Sequence, residues 1–170
     1  NEAIRIFREA GADYCMMLDS DEIWSSVDLD RMKRVIAASP EVQYWYTHWY
    51  IYWKDRLHRI EHGGTPLVFV KLDGQARIAW LRTPLQGGIS HTIDAAMHHM
   101  AYVRTDEEIQ NKVRSITAAH GTANDWFERV WKGWDLNHDL EDLHPVPSAA
   151  ADFKRAVAIT ENDLPPALRP

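Results

Sequence analysis

The run Tyr14-Cys15-Met16-Met17-Leu18, followed without a break by Asp19-Ser20-Asp21-Glu22, decides how the rest of the chain is read. Five apolar residues in succession, with no polar alternation, are the pattern of a short strand buried on both faces. Upstream, residues 2–10 set Ala3, Ile4, Phe7 and Ala10 at helical spacing, and Gly11 is a helix stop. Helix, glycine, buried strand and acidic loop together make an αβ unit of the α/β type. In open sheets of that type, ligands bind beyond the carboxyl ends of the strands, so the acidic loop is where a site is sought.

Downstream, Asp28 or Asp30 is a candidate cap for a helix running to about Ala38, with Pro40 after its end. Residues 42–53, VQYWYTHWYIYW, carry aromatic rings on both parities, so both faces of that strand or hairpin are expected to be covered. Gly63-Gly64 predicts a turn, Pro66 to Lys71 a strand, and Asp73-Gly74 a tight turn into Ala76–Trp80. Gly87-Gly88 marks a flexible loop ahead of a histidine-rich segment, His91 to His99. Thr105 with Glu108 is a capping box that opens a helix to about Ala119, with Ile109, Val113 and Ile116 on one face. Asn124 or Asp125 starts a further short helix containing Trp126, Phe127, Val130 and Trp131. The remainder is proline-rich and reads as a tail lying over the domain, with one helix near Asp152–Ile159.

At 170 residues, 45% hydrophobic and 26% charged, the chain has an ordinary globular composition and is long enough for one domain with a sizeable core. A formal net charge of −6 argues against a general nucleic-acid binder, although a divalent cation can still bring a phosphorylated ligand to an acidic surface. The single cysteine, Cys15, excludes an internal disulfide or a multi-cysteine zinc site. It fits a small buried hydrophobe in a reducing, cytoplasmic setting. No apolar stretch approaches the roughly 18 residues of a transmembrane helix, and no signal-peptide pattern is present. The sequence begins at Asn1 and runs at once into a helical pattern, as expected of a segment from a longer chain. Eight tryptophans serve equally as core, interface or platforms for sugar rings.

Three stretches could carry chemistry. Asp19 and Asp21 at the end of an apolar strand repel one another unless something cationic sits between them, and their oxygens suit Mg²⁺ or Mn²⁺ bound together with substrate phosphates. Solvated loop carboxylates are the bland reading. His98-His99 precedes Met100-Ala101-Tyr102-Val103-Arg104, and one of the two histidines could complete a metal shell begun by Asp21; hydrogen-bonded histidines without a ligand are the alternative. His48, Trp49 and Trp53 could stack on a sugar, although core filling is favoured. Lys54, Arg56 and Arg59 could meet phosphate or simply be solvated. Asp94, Glu61 and Asp55 are possible general bases that the sequence does not rank, and Asp94 is our candidate.

Asn1 to Trp24, NEAIRIFREAGADYCMMLDSDEIW, resembles the segment of family 2-type glycosyltransferases in which a helix precedes a strand ending in "LDaDE". His98 to Ile116, HHMAYVRTDEEIQNKVRSI, resembles a second block of those enzymes, and Trp134 to Pro147, with Asn137 and Leu143-His144-Pro145, resembles their closing segment. Residues 25–97 match only loosely. The resemblance implies a GT-A-like (Rossmann-like) mixed α/β sheet flanked by helices, with residues 1–147 as its C-terminal, metal- and acceptor-side part and 148–170 as a proline-rich tail. It implies transfer, with inversion, of a sugar from a nucleotide-sugar donor to an acceptor hydroxyl, with Mn²⁺ or Mg²⁺. Asp21 would be nearest the metal, Asp19 nearer the donor ribose or metal, and His99, or His98, the downstream metal or diphosphate contact. The donor-binding strands that precede the DxD strand in that fold have no counterpart here.

Two other readings compete. A haloacid dehalogenase-like, Mg²⁺-dependent phosphatase would use Asp19 as nucleophile and Asp21 as acid/base, but no later paired acidic motif supports it. A non-catalytic carbohydrate- or protein-binding domain would use a tryptophan-rich surface without metal.

Overall fold

The computed structural model describes residues 2–73, 77–79, 82–122 and 125–169, apart from the side chains of 117–120. In chain order the elements are α1 (Glu2–Glu9), β1 (Tyr14–Met16), β2 (Glu22–Trp24), α2 (Ser26–Ala38), β3 (Tyr44–Trp53), β4 (His58–His62), β5 (Leu67–Lys71), β6 (Ser90–Tyr102), α3 (Asp106–His120), α4 (Pro147–Ala150) and β7 (Phe153–Ala158). A π-helical turn, Phe127–Lys132, lies between α3 and α4. The fold is mixed α/β. Strands β1 and β5, β5 and β3, β3 and β4, and β4 and β7 pair antiparallel, while β6 pairs with β2 and with β3. The chain forms two compact units, Asn1–Trp49 with Thr65–Met97, and Tyr50–Gly64 with His98–Pro170.

In the first unit, Gly11 ends α1 at φ +78°, a left-handed conformation that glycine adopts without a steric penalty. The helix face expected to be apolar is only partly used, because Ile4 is buried while Ala3, Phe7 and Ala10 are exposed. Strand β1 is shorter than the apolar run that encodes it, and of its three residues only Cys15 is buried. It is therefore not a strand covered on both faces; it lies antiparallel to β5 with Cys15 opposite Val70. The helix after the acidic loop is capped by Ser25, not by Asp28 or Asp30. The Asp28 amide donates to Ser25 Oγ at 3.0 Å, and the Ser25 hydroxyl donates to the Asp28 carboxylate at 2.6 Å. Ser25→Ala is expected to cost about 1 kcal/mol in urea unfolding, since it leaves a helix-end amide without its acceptor.

The core of this unit gathers Met32 and Ile36 of α2, Trp45 of β3, Val68 of β5, and Ile93, Ala95 and Met97 of β6. Buried Thr47 donates its hydroxyl to the Ala95 carbonyl, which explains a polar residue among aromatic neighbours on β3. Gly74 of the expected turn and the end residues of the expected strand Ala76–Trp80 lie outside the described residues; of its described residues 77–79, only Ile78 pairs, in an isolated bridge to Pro84.

In the second unit, Trp53 is ringed by Tyr102 at 5.1 Å, Trp131 at 5.1 Å, Trp126 at 6.2 Å and Trp134 at 6.4 Å between centroids. Trp131 Nε1–H donates to Asp106 at 2.8 Å, and Lys54 Nζ sits 3.9 Å from the Trp131 ring centroid. The capping box before α3 is present: the Glu108 amide donates to Thr105 Oγ1 and the Thr105 amide to the Glu108 carboxylate. The short helix expected at Asn124 or Asp125 becomes the π-helical turn, with Asn124 itself outside the described residues.

The tail differs most from expectation, because Asp152–Ile159 is not helical. Phe153–Ala158 forms β7, paired with β4 through His58 opposite Ala158 and Ile60 opposite Ala156. Its buried residues, Phe153 and Ala156, are three apart, which is helical spacing. A register shift between Ile60 and His62 of β4 breaks the usual alternation, and so a strand carries a helix-like pattern.

Candidate functional site

Between β1 and β2 the chain turns through Asp19-Ser20-Asp21-Glu22, closed by the Glu22 amide donating to the Asp19 carbonyl at 3.1 Å. The Asp19 amide in turn donates to the Glu22 carboxylate at 2.9 Å. The acidic side chains of the turn differ in their exposure. Asp19 is largely exposed, with 65% of its side chain accessible, and Asp21 is half-buried. Glu22 is almost fully buried, with 1% of its side chain accessible.

The buried carboxylate is matched by Arg82. Its Nη2 donates to both Glu22 oxygens, at 2.7 and 2.8 Å, and lies 3.0 Å from Asp19 Oδ2. Burial pushes the Glu22 carboxyl above its ordinary range, while Arg82 and the Asp19 amide pull it back. Arg82 reaches this place from a left-handed backbone conformation, φ +58°, that an L-residue rarely adopts. A strained residue whose guanidinium is shared by two carboxylates marks a built cluster. In the sequence Glu22 reads only as part of the acidic run, without a role of its own, and Arg82 does not stand out.

The other candidates are divided between the two units. Asp94, on β6 of the first unit, has 91% of its side chain accessible and is shared between His48 Nε2 at 3.5 Å and Arg31 Nη1 at 3.4 Å. Arg31 also donates to the Asp94 carbonyl. Trp49, of the same unit, packs half-buried against its core. His98 and His99 belong to the second unit. His98 is buried, with its Nδ1 2.7 Å from Tyr52 Oη and its ring stacked on Tyr52. Burial pushes the Tyr52 phenol up to about 12. His98 is thus tied into the core, and His99 is half-buried beside it. Glu61 is paired with Arg155 at 2.9 Å, and Asp55 with His58 at 3.0 Å. Arg56 lies 3.7 Å from Glu161, Lys54 pairs with Asp135, and Arg59 stacks over Tyr50. The second unit also holds a shallow cavity of about 300 Å³ walled by His58, His138, Asp139, Arg155 and the last residues of β7.

Trp45, Trp53, Trp126, Trp131 and Trp134 are buried, so the high tryptophan content largely serves the cores. Among the described residues, no three His, Cys, Asp or Glu side chains gather where they could hold an ion. Among the same residues, no helix is long and apolar enough to cross a membrane. No protein-family model and no curated protein sequence matches the chain.

Proposed function

We propose that the chain is the metal- and acceptor-side part of a GT-A-like, family 2-like glycosyltransferase, which moves a sugar from a nucleotide-sugar donor to an acceptor hydroxyl. The observation that supports this reading best is the acidic turn after β1, where Asp19 is exposed and Asp21 half-buried while Glu22 and Arg82 fix the loop from beneath. A hard divalent cation is commonly held by one or two protein carboxylates, with waters and substrate phosphates completing its shell. Asp19 and Asp21 supply oxygen donors of that kind and number for Mn²⁺ or Mg²⁺, with Asp19 Oδ2 already 3.0 Å from Arg82 Nη2 and its other oxygen the one a cation would use. When bound, the cation would neutralise charge developing on the diphosphate leaving group. Glu22 is not a free donor, because its carboxylate is committed to Arg82. Asp94 remains the candidate base, and its exposure gives an acceptor hydroxyl access to the carboxylate.

Titrating Mn²⁺ into the protein and following the free-ion EPR signal tests the ligand assignment. One saturable site is expected, weakened by about ten-fold or more in Asp19→Asn and in Asp21→Asn. Equal binding by all three proteins would remove the turn from consideration as a metal site.

A further inference from the structure

Two histidines in the second unit close on one aromatic ring. His62, the last residue of β4, stands opposite Phe153, the first of β7, with ring centroids 4.6 Å apart. His144 approaches Phe153 with its centroid 4.5 Å away. The backbone is tied in beside them, since the Leu143 amide donates to the Phe153 carbonyl at 2.8 Å. Both imidazoles also accept from the main chain. The Gly64 amide donates to His62 Nδ1 at 2.9 Å, and the Val146 amide donates to His144 Nδ1 at 3.1 Å. Gly64 is the residue this packing requires, because a Cβ there would fall 2.1 Å from His62 Cε1.

An imidazole that accepts at Nδ1 carries its single proton on Nε2. A second proton has to go onto Nδ1, where it would face the amide N–H it now binds. We propose that β7 is held by an imidazole clamp that loosens in acid: protonating His62 breaks its contact with the Gly64 amide, protonating His144 turns its Nδ1 from the Val146 amide to the Val146 carbonyl, and the packing of both rings on Phe153 at the start of β7 weakens.

The surrounding charges favour the neutral, closed state. Burial holds both histidines below the ordinary imidazole range. Against that, Asp152 favours charge on His62, and the Val146 carbonyl, 3.4 Å from His144 Nδ1, favours it on His144. Lys112 of α3 and His62 both oppose charge on His144. Glu61 and Arg155, the neighbouring pair on the two strands, neutralise one another at 2.9 Å. Because the folded state binds these protons less readily than the unfolded chain, the clamp is at full strength above the ordinary imidazole value of about 6.5. It weakens as pH falls below that value, until the folded-state pKa values are passed.

Amide hydrogen exchange, corrected for intrinsic rate, reads the clamp directly. Between pH 7.5 and pH 5.0 the amides of Phe153–Ala158 are expected to lose protection relative to α3, because protons that the folded state binds less readily than the unfolded chain favour opening as pH falls. In H62N/H144N, where each amide oxygen can replace Nδ1 as acceptor but takes up no proton, that loss is expected to disappear. Unchanged protection in the wild type, or an equal loss in the variant, would overturn the proposal. An NMR titration of the wild-type His62 and His144 Cε1–H signals needs no variant: midpoints below 6.5 are expected, and midpoints at or above it would contradict the clamp.

Discussion

Arg82→Met is expected to lower the stability of the first unit by about 3–5 kcal/mol, read from urea unfolding. The effect is large because of what the substitution leaves behind. Glu22 has 1% of its side chain accessible and takes both of its charged contacts from one guanidinium nitrogen. Without it, the carboxylate must stay charged in a buried place or bind a proton at neutral pH, and both are costly. Asp19 contributes little to this loss, because an ion pair with 65% of the carboxylate side chain exposed is screened by water and is worth about 0–1 kcal/mol. The paired change Glu22→Gln/Arg82→Met removes both charges and is expected to recover most of the stability. If Arg82→Met alone were neutral, Glu22 would not depend on Arg82, and the acidic turn would lack its foundation.

Trp53→Ala is expected to destabilise the second unit by about 3–5 kcal/mol, the usual range for emptying a large aromatic site in a core. Four aromatic rings stand within 6.4 Å of Trp53 between centroids, and they come from β6, from the π-helical turn and from the residues on either side of that turn. One deletion therefore loosens several elements together. Trp53→Phe keeps part of the ring contact and is expected to cost clearly less. Equal losses for the two variants would mean that packing around the indole is not what holds these elements.

The parts of the fold that were legible in the sequence are those set by local chemistry. The capping box Thr105–Glu108 and the stop at Gly11 act within a few residues, and both are formed as read. The acidic turn was legible for the same reason, since an apolar run that stops at four polar residues has few other outcomes. Strand β4 was missed because His58–His62 buries only Ile60, and its identity comes from pairing with β3 and β7 rather than from its own pattern. In β7, a register shift gave a strand the spacing of a helix. Arg82 was invisible for a different reason: it is 60 residues from Glu22, and nothing local to it signals a buried carboxylate partner. Long-range electrostatic pairing leaves no periodic trace in a sequence.

The most direct test of the proposed metal and diphosphate site is a thermal-shift measurement with UDP, GDP and dTDP, each with and without Mn²⁺, on the longest native form of the protein and on its Asp21→Asn variant. Stabilisation is expected that needs both Mn²⁺ and one of the nucleotides and that is absent in Asp21→Asn. At a nucleotide concentration one hundred times its dissociation constant, that stabilisation corresponds to about 2.7 kcal/mol. No shift with any nucleotide in the folded protein, or the same shift without Mn²⁺ and in Asp21→Asn, would contradict the proposed site.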